Sequence, residues 1–247
     1  MLEITTTQKA RKFLLFGLFG AFLTLIGDLL IGYIKFPEGA EMPEGYFAAA
    51  LMLPIWRPIL GGMIGFLGVS LEFPGLMAIY PLLKRKMPKG AAFYKLSMYV
   101  YLAVAGGAVH LPCGVFMWLY HSVTDAAGRE VGYHIALQYV LYFILPVTIV
   151  FYVFFAGSSI VQFLAIIKGY TPFPKWYALF NLLLVSVFCN AFRNIGNYAI
   201  INGIGTSNKS LGAIVMFIAL FIGFGKYVKQ EDLMFQFTEK RQQFFHS

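Results

Sequence analysis

Long stretches of apolar residues, each near the length needed to cross a bilayer, dominate the chain and are separated by short polar or basic breaks. A hydrocarbon core of about 30 Å takes roughly 20 helical residues. Six runs meet that length, at residues 12–34, 59–83, 96–120, 135–167, 176–199 and 211–227. The pattern predicts an all-α, polytopic transmembrane helix bundle of six spans in a single domain covering 1–247. Run 135–167 is the ambiguous one. At about 1.5 Å per residue it reaches roughly 50 Å, so it is either one tilted helix or two short spans joined near Ala156-Gly157-Ser158-Ser159.

Charge decides between these layouts. With six spans and an inner N-terminus, 14 Lys and Arg fall on the inner side and five (Lys35, Arg57, Arg129, Arg193 and Lys209) on the outer. Splitting the fourth run gives 10 against 9. The positive-inside rule favours six spans with both termini cytoplasmic. Glu38, Glu41 and Glu44 place acidic charge in the first outer loop, and Trp56, Trp118 and Trp176 fall near span ends, where aromatic belts form. Segment 47–56 is apolar, too short to cross, and broken by Pro54 and Pro58, as an interfacial piece would be. Residues 121–134 are expected to form a polar outer loop. The tail, 228–247, mixes Phe235, Phe237, Phe244 and Phe245 with Lys240 and Arg241, as a cytoplasmic helix on the membrane surface does.

Composition agrees: 59% of the 247 residues are hydrophobic and 12% charged, against about 45–50% and 25% in soluble domains. The net charge of +8 lies at segment ends, which suits topology and anionic lipid rather than nucleic acid. The expected surroundings are membrane lipids, with a small-molecule or lipid ligand and no nucleic acid; protein partners are not legible. Cys113 and Cys189 lie within apolar runs in no ligand spacing, and read as small buried hydrophobes. His121, Asp125 and His134 form no tight ligand pair. No phosphate loop, dinucleotide fingerprint or zinc-protease pair occurs, so no cofactor and no metal are expected.

The chemistry lies in polar groups placed where hydrocarbon is expected. Gly61, Gly65, Gly68, Glu72 and Gly75 step by 4, 3, 4 and 3 along one helix face, a seam for close helix packing. Gly17, Gly20, Ala21, Thr24, Gly27 and Asp28 form a matching face, so the first two spans are expected to pack together. In the fifth run Ser186, Asn190, Arg193, Asn194 and Asn197 follow helical spacing. Ionisable groups at membrane depth are costly and mark functional sites by default. Asp28, Glu72, His110, Asn190, Arg193, Asn194 and Asn197 are therefore the ligand-binding or proton-coupling candidates. Their depths describe a funnel from the outer face to mid-membrane, with an Asp28–Arg193 ion pair neutralising both charges. His110-Leu111-Pro112 places the imidazole at a kink that frees a backbone carbonyl.

Residues 27–30 (Gly-Asp-Leu-Leu), the Trp56-Arg57 entry to a glycine-spaced span and His110 together resemble a group of bacterial multi-pass membrane proteins forming a domain family of unknown function. The resemblance implies a multi-pass protein of the bacterial plasma (inner) membrane and no mechanism. Gly27-Asp28 is also similar to an element of membrane lysoplasmalogenase-type hydrolases. Those have more spans and continue differently after the Asp, so their activity is not carried over. Three functions stay open: a small-molecule transporter or binding protein using a buried carboxylate, a structural or accessory membrane subunit, and an intramembrane lipid-modifying hydrolase or isomerase with His110 and a carboxylate as acid and base.

Overall fold

The computed structural model describes residues 4–39 and 43–228, which are helical with no strand. The surface-helix reading of the tail and Glu41 lie outside the described residues. Among the described residues five helical stretches are long and apolar enough to cross a membrane, which makes this a membrane protein.

The first helix, α1 (Ile4–Gly32), is followed by the short α2 (Glu44–Leu51). Next come α3 (Trp56–Met77) and, after a turn, α4 (Tyr80–Lys86). The bundle is organised on the α1–α3 pair, and glycine is the reason. A side-chain carbon on Gly20 would meet the Gly68 carbonyl oxygen at 2.6 Å, and one on Gly27 would meet that of Gly61 at 2.6 Å. Gly17 faces the Cα of Gly75 in the same way. In lipid no hydrophobic drive separates helix contacts from lipid contacts, so this backbone-to-backbone approach supplies the association by dispersion. The end of α1 is closed by Arg57, whose Nε donates to Leu30 O (3.0 Å) and whose Nη2 donates to Leu29 O and Tyr33 O (both 3.3 Å). These are carbonyls that a helix end leaves without donors.

Two long antiparallel helical paths follow. The first is α5 (Pro88–Tyr101), a π-helical segment Leu102–His110 and α6 (Leu111–Ala127). The second is α7 (Arg129–Tyr139), a π segment Val140–Ile144 and α8 (Leu145–Ile167). Each π segment ends two residues before a proline, Pro112 or Pro146. Proline removes a donor and crowds the carbonyl four residues back; widening the preceding turn relieves both. The ambiguous fourth run is thus within one continuous helical path, Arg129–Ile167, with no break at 156–159. The expected polar loop 121–134 is corrected: helix runs through it on both sides of Gly128, whose φ of +89° makes the turn. Both paths exceed the bilayer core, and their joined ends pack with α2 into a small cap. Phe47 sits there in ring contact with Phe116, Tyr120 and Tyr133, at 5.2, 5.3 and 4.7 Å between centroids.

The fifth run differs from expectation. Instead of one helix over 176–199, a 3₁₀ turn (Lys175–Phe180) leads to α9 (Leu182–Ala191), which tightens into a second 3₁₀ turn, Phe192–Ile195. Asn181 caps α9 by accepting from Leu183 N at 3.1 Å. Gly196 ends it with φ +154°, a conformation essentially reserved for glycine. At roughly 1.5 Å per residue this apolar stretch, Leu182–Ile195, measures about 20 Å, short of the hydrocarbon thickness. The described residues close with α10 (Ala199–Thr206), α11 (Asn208–Gly223) and a third π segment, Phe224–Val228.

Candidate functional site

A polar cavity of about 270 Å³ opens between α1, the first π segment, α8, the end of α9 and the start of α11. On α1, Thr24, Asp28 and Ile31 stand at helical spacing and all line it. The π segment supplies the facing wall. Tyr101, Ala105 and Val109 follow at four-residue steps, and the widened turn brings His110 round to the same side, where an α-helix would carry it to the face opposite Tyr101. Thr148, Phe151 and Tyr152 come from α8. Asn190 and Arg193, both exposed, stand at its open side with Tyr46 of the cap, and Thr206, Asn208, Lys209 and Ser210 complete the lining.

Asp28 accepts a hydrogen bond from Ser210 Oγ at 2.8 Å through Oδ2, while its Oδ1 lies 3.7 Å from His110 Nδ1. Ser210 Oγ also lies 2.9 Å from Ser207 O. A hydroxyl carries one proton, so Asp28 and that carbonyl compete for it. The imidazole fits because Gly65 has no side chain: a carbon there would stand 2.6 Å from Nδ1. The packing seam and the cavity therefore share a residue. Cys113 lines the same wall, and among the described residues no hydrogen bond joins it to His110.

The expected Asp28–Arg193 ion pair does not form among the described residues. Arg193 sits on the 3₁₀ turn after α9, lies across the bare backbone of Gly205, and donates from Nη2 to Thr206 Oγ1 at 3.2 Å. Glu72 does not reach the cavity. It is 1% exposed, and its two oxygens accept from Thr24 Oγ1 and Tyr101 OH, each at 2.7 Å. Both donors line the cavity, so Glu72 stands directly behind its wall.

The stripe in the fifth run is divided by the helix break. Ser186 is buried and donates to Leu182 O at 2.7 Å. Asn194 is exposed and outside the lining. Asn197, past Gly196, grips the chain after α1: it accepts from Phe36 N at 3.0 Å and donates to Phe36 O at 2.8 Å. Asn202 extends that clamp, donating to Ile34 O and to Asn197 Oδ1, both at 2.9 Å.

Several lining residues are absent from the sequence-based candidates. Lys209 is the most consequential: its ammonium stands 4.9 Å from the Tyr152 ring centroid and 5.9 Å from that of Phe151, and it acts electrostatically on Asp28 and His110. In the sequence it reads as a charge flanking a span. Tyr46, from the cap, has its phenol raised above the ordinary value, mainly by burial and further by Cys113, so it stays a hydroxyl that both donates and accepts. Among the described residues no group of three or more His, Cys, Asp or Glu is placed to hold a metal ion.

The chain belongs to a family of unknown function, DUF6796, whose model matches residues 2–227. No curated protein matches it. No solved structure matches it either.

Proposed function

We propose that this member of the family is a multi-pass protein of the bacterial plasma membrane that binds a small polar ligand in an outward-facing intramembrane chamber, as a transporter or binding protein does. The observation that carries the reading is the convergence of Asp28, His110, Asn190 and Arg193, from three separate stretches of chain, on one cavity. Polar groups tolerated at such depth face protein or water, and a chamber accommodates all of them at once. At about 270 Å³ it falls just below the usual range of ligand pockets, about 300 to 1,000 Å³, which suits a small ligand. Asp28 is the buried carboxylate of the mechanism. Its bond from Ser210 is shared with Ser207 O, so a ligand donor can take the second position on the carboxylate while Ser210 turns to the carbonyl.

Thiol accessibility tests the chamber and its sidedness. In a protein carrying Cys113→Ser and Cys189→Ser, Asn190→Cys and Asn208→Cys are expected to react with a charged, membrane-impermeant methanethiosulfonate added outside. Phe188→Cys, on the apolar exposed face of α9, stays unlabelled. Absence of labelling at both cavity positions, or labelling only from the cytoplasmic side, contradicts the reading.

A further inference from the structure

We infer that the ligand taken by this chamber is an anion, a phosphate or carboxylate group held between Arg193 and Lys209. The inference rests on the chamber reading and adds the chemical class of what fills it. Three observations carry it.

The first is the charge balance of the lining. It holds two fixed cations, Arg193 and Lys209, against the single carboxylate of Asp28. Among the described residues neither cation makes an ion pair. Lys209 is half-buried and Arg193 stands exposed at the open side, so an anion entering the chamber meets two cations that no carboxylate neutralises.

The second is the unused hydrogen-bonding capacity. Among the described residues Arg193 makes one side-chain bond, from Nη2 to Thr206, out of a planar fork of five N–H donors matched to oxyanions. Lys209 has ring faces at 4.9 and 5.9 Å rather than oxygen acceptors. Neutral donors surround both: Asn190, Asn208 and the hydroxyls of Thr148 and Thr206. The Thr148 hydroxyl is buried and has no partner among the described residues. A cationic ligand would meet the opposite arrangement, two like charges and a carboxylate already bonded to Ser210.

The third is how Arg193 is placed. Its side chain runs over Gly205, where any side-chain carbon would strike the arginine's Cγ, Nε and Cδ. The missing side chain at 205 is what permits the guanidinium to reach the cavity edge. Asp28, with His110 beside it, then receives a hydroxyl or amine donor elsewhere on the same ligand.

The test uses the full chain purified in a phosphate-free maltoside, with thermal unfolding as the readout. The probes are inorganic phosphate, for a soluble anion, and dioctanoyl phosphatidylglycerol, for a lipid headgroup. Matched sodium chloride and neutral dioctanoylglycerol serve as controls. At least one anionic probe is expected to raise the unfolding midpoint above its control: phosphate alone identifies a soluble ligand, phosphatidylglycerol alone a headgroup. Arg193→Gln with Lys209→Gln should raise the half-saturating concentration about tenfold or more. Should the double variant fail to fold, Gly205→Ala keeps both cations, displaces only the guanidinium, and must weaken the same effect. No shift with either anion, or a shift that survives these substitutions, overturns the anion assignment. Thiol labelling reads water access regardless of charge, so its result separates that failure from failure of the chamber itself.

Discussion

Two carboxylates, Glu72 and Asp28, sit on helices packed backbone to backbone, and their surroundings could hardly differ more. Glu72 lies in the dry seam with both oxygens occupied by hydroxyl donors at 2.7 Å. Asp28 lies one turn beyond Thr24 on α1, at the cavity, where one oxygen has Ser210 at 2.8 Å and the other only the imidazole nitrogen at 3.7 Å. A saturated acceptor holds helices together; an acceptor with spare capacity in a hollow can take a ligand. Depth in the membrane alone does not separate these roles, because both groups are costly there. What separates them is whether the neighbouring helix brings a donor or leaves a space.

The sharpest way to break this contrast is to attack the seam itself. Gly20→Val places a branched side chain where 2.6 Å separates the added carbon from the Gly68 carbonyl oxygen. Backbone cannot rotate away as a side chain does, so the expected cost is at or above the usual overpacking range of about 1–3 kcal/mol. Size-exclusion chromatography in detergent should show loss of the folded monodisperse peak; a normal peak with an unchanged unfolding midpoint would mean that the seam is looser than described.

A smaller effect is expected from Glu72. Glu72→Ala strands the Tyr101 hydroxyl over a void, at about 1–3 kcal/mol, and leaves Thr24 its Gly20 carbonyl at 3.1 Å, whereas Glu72→Gln keeps one accepting oxygen and should melt closer to the parent. Both variants should retain the anion-dependent shift. If Glu72→Gln removes that shift while leaving the midpoint in place, Glu72 acts with the cavity and the contrast collapses.

The smallest stability effect belongs to Asp28→Asn. The amide oxygen still accepts from Ser210, so the midpoint should move by no more than about 1 kcal/mol equivalent. The change should instead appear in how ligand binding or flux discriminates among probes that carry a hydroxyl or amine. A large drop in the midpoint with no change in binding would move Asp28 to the structural side.

How far the sequence could be read depended on whether a feature was local. The 4-3-4-3 spacing of Gly61 to Gly75 puts bare backbone on one helix face whatever surrounds it, and the matching face on α1 is as plain. Pro112 and Pro146 announce disturbed helix, though not that the disturbance takes π form. The region 121–134 misled because His121, Asp125 and His134 look like loop polars, while Gly128 alone suffices to turn the chain and the helices continue past the hydrocarbon. The fifth run misled for the opposite reason: its apolar length hides the break at Gly196, and Asn197, apparently in register with Arg193, belongs to the clamp on Phe36. In the site, Asp28, His110, Asn190 and Arg193 were legible as polar groups among apolar neighbours. Lys209 was not, since a lysine before an apolar run looks like an ordinary flank.

By itself, then, the sequence determined that the chain is a bundle of apolar helices, which faces are small enough to touch, and which polar groups are too expensive to be idle. Those are consequences of composition and helical period, carried by each segment alone. Only the tertiary structure decided the partners: that Ser210 rather than Arg193 meets Asp28, that Arg193 crosses Gly205 to reach Thr206, and that Glu72 is enclosed while Asp28 borders a hollow. Hydrogen bonds and charge contacts act over a few ångströms between residues as many as 182 positions apart, and no spacing along one segment encodes which distant donor arrives.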